Sequence, residues 1–295
     1  MGTRVNVELW SNKPEQAGNC SERVFAEMHR IDALMSPYKA DSEISAINRQ
    51  AAQQAVPVSA ELFGLIQKSI QFSDLSAGAF DITFASIGFQ YDYRAHKKPD
   101  EQTINQQLKT INYKNLVLQN QTVKFAMPGM SIDLGGIAKG YAVDRAIDIL
   151  QQCGITQALV SAGGDSRLLG DKQGRPWMIG IQHPRKKQAI ALSIPLSHTA
   201  ISTSGDYERF FLSDKKRIHH IINPQTGKSA RNSWSATVIG PDATSTDALS
   251  TSLFILGAKK GLELINTLDN MDAIIIDSNG VIFYSSGLES PAEPG

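Results

Sequence analysis

One stretch restricts the fold of this chain more than any other: Ser131-Ile-Asp-Leu-Gly-Gly-Ile-Ala-Lys-Gly-Tyr-Ala-Val-Asp144, where a short apolar run ends in an acid, a Gly-Gly pair follows and a helical pattern begins. This order predicts strand, loop, helix. Ala142, Val143, Ala146, Ile147 and Leu150 recur at helical spacing, with Lys139, Asp144 and Arg145 on the polar side. Gly135 and Gly136 accept backbone angles that other residues resist, and the first helical turn leaves N–H groups unpaired, so an anion can sit there. Asp133 opposes such an anion unless a cation intervenes. An ordinary packing turn fits the same residues, because a single Gly-rich loop is a weak signal.

The remaining chain alternates short strands with amphipathic helices. Val5, Val7 and Leu9 alternate with Arg4, Asn6 and Glu8, as in a half-buried strand. A helix is predicted between Ser21 and Met35, capped by Ser21 and stopped at Ser36-Pro37; Asp41 or Ser42 caps a short one through Ile44 and Ile47, and Ser59 starts another to Leu75. Gly78 to Gly88 is apolar but broken by Asp81 and Thr83 and followed by Phe89, Tyr91 and Tyr93, a mixture that suits a cleft wall. Residues 97–106 read as a polar connection and residues 116–125 as a hairpin turning at Gln119 to Gln121. Strands are expected at 158–162, 177–181, 189–194, 199–203 and 236–239, a helix from Thr246 capped by Thr244 or Ser245, and a closing hairpin across Ser278-Asn-Gly280. Ser290 to Gly295 reads as a flexible tail.

The 295 residues allow one large domain or two intimately packed lobes, and no linker cleanly divides them. With 29 basic and 29 acidic residues there is no bulk attraction to nucleic acid or to an anionic membrane, so phosphate binding must be local. Cys20 and Cys153 lack metal or redox spacing and are expected to pack. No apolar run is long enough to span a bilayer, and no signal-peptide pattern precedes Met1, although a trimmed mature form would read the same way.

Three glycine turns carry an acid each, Asp133, Asp165 and Asp206, which together suggest a ligand cleft. Asp247 and Thr251 lie four apart on one helical face, where carboxylate and hydroxyl suit a hard divalent ion such as Mg²⁺; alternatively Asp247 caps the helix and Thr251 packs. His219 and His220 point to opposite sides of an extended strand, so only one can enter a cleft and serve as a base. The P-loop, the Gly-x-Ser-x-Gly elbow, the zincin helix and the Rossmann glycine pattern are all absent.

In this order the motifs resemble the ApbE-type flavin transferases, the FAD:protein FMN transferase family. The matching segments are Ser36-Pro-Tyr38, Gly78-Ala-Phe-Asp-Ile-Thr83, Asp133-Leu-Gly-Gly-Ile-Ala-Lys-Gly140, Gly163-Gly-Asp165, Thr203-Ser-Gly-Asp-Tyr207, His220-Ile-Ile-Asn-Pro224 and Thr246-Asp-Ala-Leu-Ser-Thr251. The resemblance implies an α/β (α+β) fold with a mixed, largely antiparallel sheet, flanking helices and a T-fold-like architecture. It implies an enzyme that splits FAD with Mg²⁺ and moves FMN onto a Thr or Ser hydroxyl of an acceptor protein, releasing AMP. An FAD pyrophosphatase giving FMN and AMP is the first alternative, and a flavin carrier without turnover the second. By the same resemblance Gly136 (through its carbonyl), Asp247 and Thr251 hold the metal. Met1, Tyr38, Ala79, Phe80, Asp81, Asp133, Lys139 and Ile221 line the FAD site, and His220, with Asp247, serves catalysis. Tyr38, alone a packing residue, is implied to stack on a flavin or adenine ring, which favours transfer over hydrolysis. Asn223 replaces the family's usual Asp, and Lys139 stands at a variable position. Relatives commonly work on the periplasmic side of the bacterial inner membrane as lipoproteins, so a membrane contact is expected only through a lipid anchor that this chain does not carry.

Overall fold

A computed structural model describes residues 2–214 and 216–288. The chain opens with β1 (Val5–Leu9) and α1 (Pro14–Met35), then α2 (Glu43–Gln50), β2 (Val56–Pro57), α3 (Ala60–Leu75), the short α4 (Ala85–Gly88) and α5 (Glu101–Gln107). β3 (Leu116–Gln119) and β4 (Thr122–Phe125) form a hairpin whose turn residues Asn120 and Gln121 both have positive φ, the twist a two-residue hairpin requires. Next come α6 (Ala138–Gln152), β5 (Ala158–Ala162), β6 (Asp165–Leu169), β7 (Trp177–Gln182), β8 (Ile190–Leu196) and β9 (Ala200–Gly205). β10 (Phe210–Ser213), β11 (Lys216–His219), β12 (Ile222–Asn223), β13 (Lys228–Ser229), β14 (Ser233–Gly240), α7 (Ala243–Ile265), β15 (Asp272–Asp277) and β16 (Ile282–Tyr284) complete the described chain.

A seven-stranded sheet in the order β1-β5-β6-β9-β14-β15-β16 is antiparallel at every pairing, where the resemblance implied a mixed, largely antiparallel sheet. α6 packs on β5 and β6, α7 on β9, β14 and β15, and α1 on α6. The core between them is aliphatic: Val24, Ile31, Val143, Ile147, Val160, Val238, Leu253 and Ile275 are all 1% exposed or less. Asp144, on the inner side of α6, ties the layers together. It accepts the Ala243 and Thr244 N–H groups at 2.8 Å each and pairs with Arg167 on β6, so one carboxylate caps α7 and joins it to helix and sheet. A smaller cluster of Ile87, Ile104 and Ile222 packs beneath α4 and α5. No helix among the described residues is long and apolar enough to cross a membrane.

Several expectations need correction. Ser131 to Leu134 is not a strand: its polar groups are satisfied by Asn48, which brackets Ile132 from both sides, by Ser86, and by the Ile82 carbonyl, rather than by a neighbouring strand. α1 starts at Pro14, whose missing N–H costs nothing in the first turn, so Ser21 lies inside the helix and donates back to the Ala17 carbonyl at 2.9 Å. α7 is capped by Asp242, which accepts the Ser245 N–H at 2.8 Å, and not by Thr244 or Ser245. Within 97–106, Asp100 caps α5, whose Ile104 is buried. The tail at 290–295 lies outside the described residues.

The cysteines also depart from expectation. Cys20 on α1 and Cys153 at the end of α6 form a disulfide, with Cα atoms 6.3 Å apart and a sequence separation of 133. Both sit on buried helix faces, and packing α1 on α6 brings them together although nothing in their spacing marks them as partners. Closing so long a loop restricts the unfolded chain. The Cys20→Ser, Cys153→Ser double variant is expected to lose about 2–4 kcal/mol of stability. Thermal unfolding with and without reductant checks this: the native protein should become as unstable as the variant when reduced, and the variant should not respond.

Candidate active site

A cavity of about 540 Å³ opens between the α6–α7 helix starts, the β10–β12 segment and the α1–α2 connection. Its size lies within the range of ordinary ligand pockets. Tyr38, Ala79, Phe80, Asp81, Asp133, Gly136, Lys139, His220, Ile221, Asp247 and Thr251 all line it, so the structure gathers these residues from five separated segments around one space. Met1 lies outside the described residues.

The floor is built where α6 and α7 begin. A Cβ on Gly140 would lie 2.0 Å from the Ala243 carbonyl oxygen, so only glycine lets the two helices approach this closely. That contact aims the Gly140 N–H at Asp247 Oδ2, 3.0 Å away. Lys139 Nζ sits 2.6 Å from Asp165 Oδ2 and 3.0 Å from both Asp247 oxygens. Burial opposes the Lys139 charge, but the two carboxylates outweigh it and hold the ammonium protonated. Burial, then the Asp165 charge, pushes the Asp247 carboxyl well above the usual carboxylate range. With Asp247 ionised, two carboxylates around one ammonium leave a net negative charge at the centre of the cavity.

Hydroxyls extend this floor. Thr251 Oγ1 is 3.2 Å from Ser204 Oγ, and a Cβ on Gly136 would meet Thr251 Oγ1 at 3.3 Å and the Phe80 ring at 3.1 Å. The glycine thus leaves a cradle between α7 and the Phe80 ring. Its surroundings are oxygen-rich, the chemistry a hard divalent cation selects. Among the described residues no group of three or more His, Cys, Asp or Glu side chains forms a metal cluster, so a cation here would rest on few protein ligands and share its shell with substrate. Six carboxylates line the cavity against the cations Lys139 and Arg209. An anionic ligand therefore enters most easily together with a cation.

Not every acid is available. Asp81 accepts the Thr83 N–H and hydroxyl on one oxygen and the Tyr113 N–H at 2.9 Å on the other, so its carboxylate shapes the Phe80 turn. Asp133 accepts the Gly135 N–H at 2.8 Å, and burial raises its pKa. Asp206, expected beside Asp133 and Asp165, is not part of the cavity lining: Arg185 clamps it with two bonds of 2.7 and 2.8 Å, and Arg217 adds a third at 3.0 Å. Tyr38 stands at the mouth, 78% exposed, as an uncovered aromatic face.

The paired histidines divide as their alternation predicts. His219 is buried, its Nε2 is 2.7 Å from the Ala230 carbonyl, its Nδ1 accepts the Ile221 N–H at 3.3 Å, and its ring packs edge-on against Phe254. Both nitrogens are occupied, so it serves the turn. His220 faces the cavity, and its Nδ1 is buried with no hydrogen-bond partner among the described residues. Burial, aided by His219, Arg209 and Lys139, pushes its imidazole down to about 3, so it is neutral at pH 7.

The aromatic stretch read as a cleft wall supplies Phe84, Phe89 and Tyr93 to this lining, and the turn acid Asp165 joins it, whereas sequence reasoning did not place Arg209 or Ile255 there. Arg209 follows the Thr203-to-Tyr207 segment by two residues, the one signal that could have drawn attention to it.

An antiparallel α/β scaffold carrying an acid-rich cleft, an oxygen-lined cradle, a neutral half-buried histidine and an exposed aromatic defines a class of ligand-binding proteins suited to anionic, ring-bearing substrates taken up with a cation. The ApbE family model matches residues 1–275, and the chain belongs to that family. A Klebsiella pneumoniae FAD:protein FMN transferase is 34% identical over 97% of this chain and 90% of its own length, and one from Treponema pallidum is 31% identical over 98% and 85%. Among solved structures, the ApbE protein of Thermotoga maritima superposes with a TM-score of 0.88 at 36% identity, covering 97% of this chain and 94% of that one. The flavin transferase ApbE of Vibrio cholerae gives 0.84 at 26% identity, with the same coverage.

Proposed function

We propose that this protein is a Mg²⁺-dependent FAD:protein FMN transferase that joins FMN to a Thr or Ser hydroxyl of an acceptor protein and releases AMP. The observation that carries the reading is the neutral His220, with its unpartnered Nδ1, in the same cavity as the Asp247–Asp165 carboxylate pair. The Asp247 carboxylate, the Thr251 hydroxyl and the Gly136 carbonyl would hold Mg²⁺, which neutralises pyrophosphate charge and stabilises the leaving phosphate. Tyr38 and Phe80 offer ring faces to the flavin or adenine, and Ala79, Asp133 and Ile221 complete the walls. Lys139 keeps the paired carboxylates together.

In this reaction the acceptor hydroxyl attacks the FMN phosphorus, a new P–O bond forms, and the bond to the bridging oxygen breaks, so that oxygen leaves with AMP. His220 takes the hydroxyl proton. Burial keeps the imidazole neutral in the free protein, and a phosphate anion beside it favours the protonated form, so its basicity rises when substrate is bound. The turn held by His219 keeps it in place. Asn223, where relatives usually carry an acid, accepts the Gln225 N–H at 2.8 Å and adds no charge beside the base.

The chain is further proposed to work in an oxidising compartment, the periplasmic side of the bacterial inner membrane. The Cys20–Cys153 disulfide supports this, because reducing cytosols keep such pairs open. Incubation with FAD, Mg²⁺ and a Thr-bearing acceptor tests the activity: AMP with covalently bound flavin is expected. AMP with free FMN would make water the acceptor, and unchanged FAD would reduce the protein to a flavin binder.

A further inference from the structure

Arg209 is a cavity cation left largely uncommitted by the fold. Lys139, the other Lys or Arg in the lining, is consumed by Asp165 and Asp247. The Arg209 guanidinium, among the described residues, makes one hydrogen bond, to the Gly2 carbonyl at 3.2 Å, and its side chain is exposed. Its placement follows from strand register. β10 and β11 pair Phe210 with His219, and the His220 N–H donates to the Arg209 carbonyl at 3.2 Å, so Arg209 stands directly opposite His220. Directly opposed residues in an antiparallel pair put their side chains on the same face. For this pair that face is the cavity, which both residues line.

The geometry points to Arg209 as the residue that binds the phosphate of the FMN half, holding it beside His220 on the side away from the Asp247–Thr251 floor. This rests on the transferase reading above. A base that takes a proton from the attacking hydroxyl must lie next to the phosphorus under attack, so the guanidinium opposite that base lies next to the same phosphoryl group. Guanidinium N–H groups are spaced to meet two phosphate oxygens at once, and their charge opposes the negative charge that gathers there as the phosphorus is attacked. The acidic lining makes the service necessary: Asp133 and Glu208 line the same cavity, Lys139 is taken up by Asp165 and Asp247, and Mg²⁺ would sit at the opposite floor.

The test compares FMN, riboflavin and FAD in fluorescence-quenching titrations with Mg²⁺ present, using native protein, Arg209→Ala and Arg209→Lys. FMN and riboflavin differ only in the phosphate. Native protein is expected to bind FMN more tightly than riboflavin; Arg209→Ala should weaken FMN at least tenfold and leave riboflavin unchanged, which also shows that the site is folded. Arg209→Lys should recover part of the FMN affinity. In turnover, Arg209→Ala should raise the FAD KM and lower kcat. An FMN-to-riboflavin affinity ratio unaltered in Arg209→Ala, or equal loss of both ligands, overturns the assignment. Native protein that binds neither FAD nor FMN overturns the transferase reading instead, so the two failures are distinguishable.

Discussion

Replacing Asp247 by Ala is expected to lower FMN transfer at limiting Mg²⁺ by at least about 100-fold, the scale seen when one group stabilising developing charge is removed. Asp247 is buried, receives the Gly140 N–H and shares the Lys139 ammonium with Asp165. Without it, Lys139 and Asp165 cancel as a simple pair, and the negative charge that recruits a cation is gone. Asp247→Asn separates this effect from damage to the fold, because the amide oxygen can still accept from Gly140. It should unfold like the native protein yet require much more Mg²⁺. Burial and the Asp165 charge raise the Asp247 pKa, so protons compete with the cation at less acidic pH than for an ordinary carboxylate. The sign follows: the native enzyme's apparent Mg²⁺ requirement should rise as pH is lowered from 8 to 6. Full transfer activity of Asp247→Ala at limiting Mg²⁺ would remove the metal from this site.

The second large effect is expected at His220. His220→Ala should reduce kcat by roughly 10²–10⁴-fold, the usual contribution of a positioned general base, while FAD affinity changes only a few-fold. His219→Ala should behave in the opposite way. It leaves the Ala230 carbonyl and Ile221 N–H without partners, costing about 1–3 kcal/mol of stability, while the folded fraction keeps most of its transfer rate. Single-turnover rates together with thermal unfolding of both variants discriminate the roles. Loss of transfer in His219→Ala with His220→Ala unaffected would assign the base to the other ring.

Both expectations depend on how much of the site could be read along the chain. Asp247 and Thr251 are four residues apart on one helix, and helix periodicity alone puts them on one face. His219 and His220 alternate on an extended segment, so one buried and one cavity-facing ring was predictable from a period of two. Ser59 is legible as a cap, and Ser42 as one of two candidates beside Asp41; each serine accepts an N–H three residues ahead. By contrast, Ser131-Ile-Asp-Leu134 has the composition of a strand but takes its partners from Asn48, Ile82 and Ser86, residues that become its neighbours only after folding. Asp206 shares its glycine-turn pattern with Asp133 and Asp165, yet Arg185 from the β7–β8 connection and Arg217 on β11 claim it.

The sequence by itself determined the strand and helix periods, two of the helix caps, the chemical types available to a cleft and, through ordered motifs spread over much of the chain, the family. These properties are local or cumulative, set by side-chain spacing along the backbone. Only the tertiary structure decided which distant groups meet: the Cys20–Cys153 bond, the commitment of Lys139 to two carboxylates, and the register that sets Arg209 opposite His220. Such pairings depend on helix packing and strand register, which no residue specifies alone, and they divide the cations around the Gly135-Gly136 turn into one already neutralised and one free to meet a phosphate.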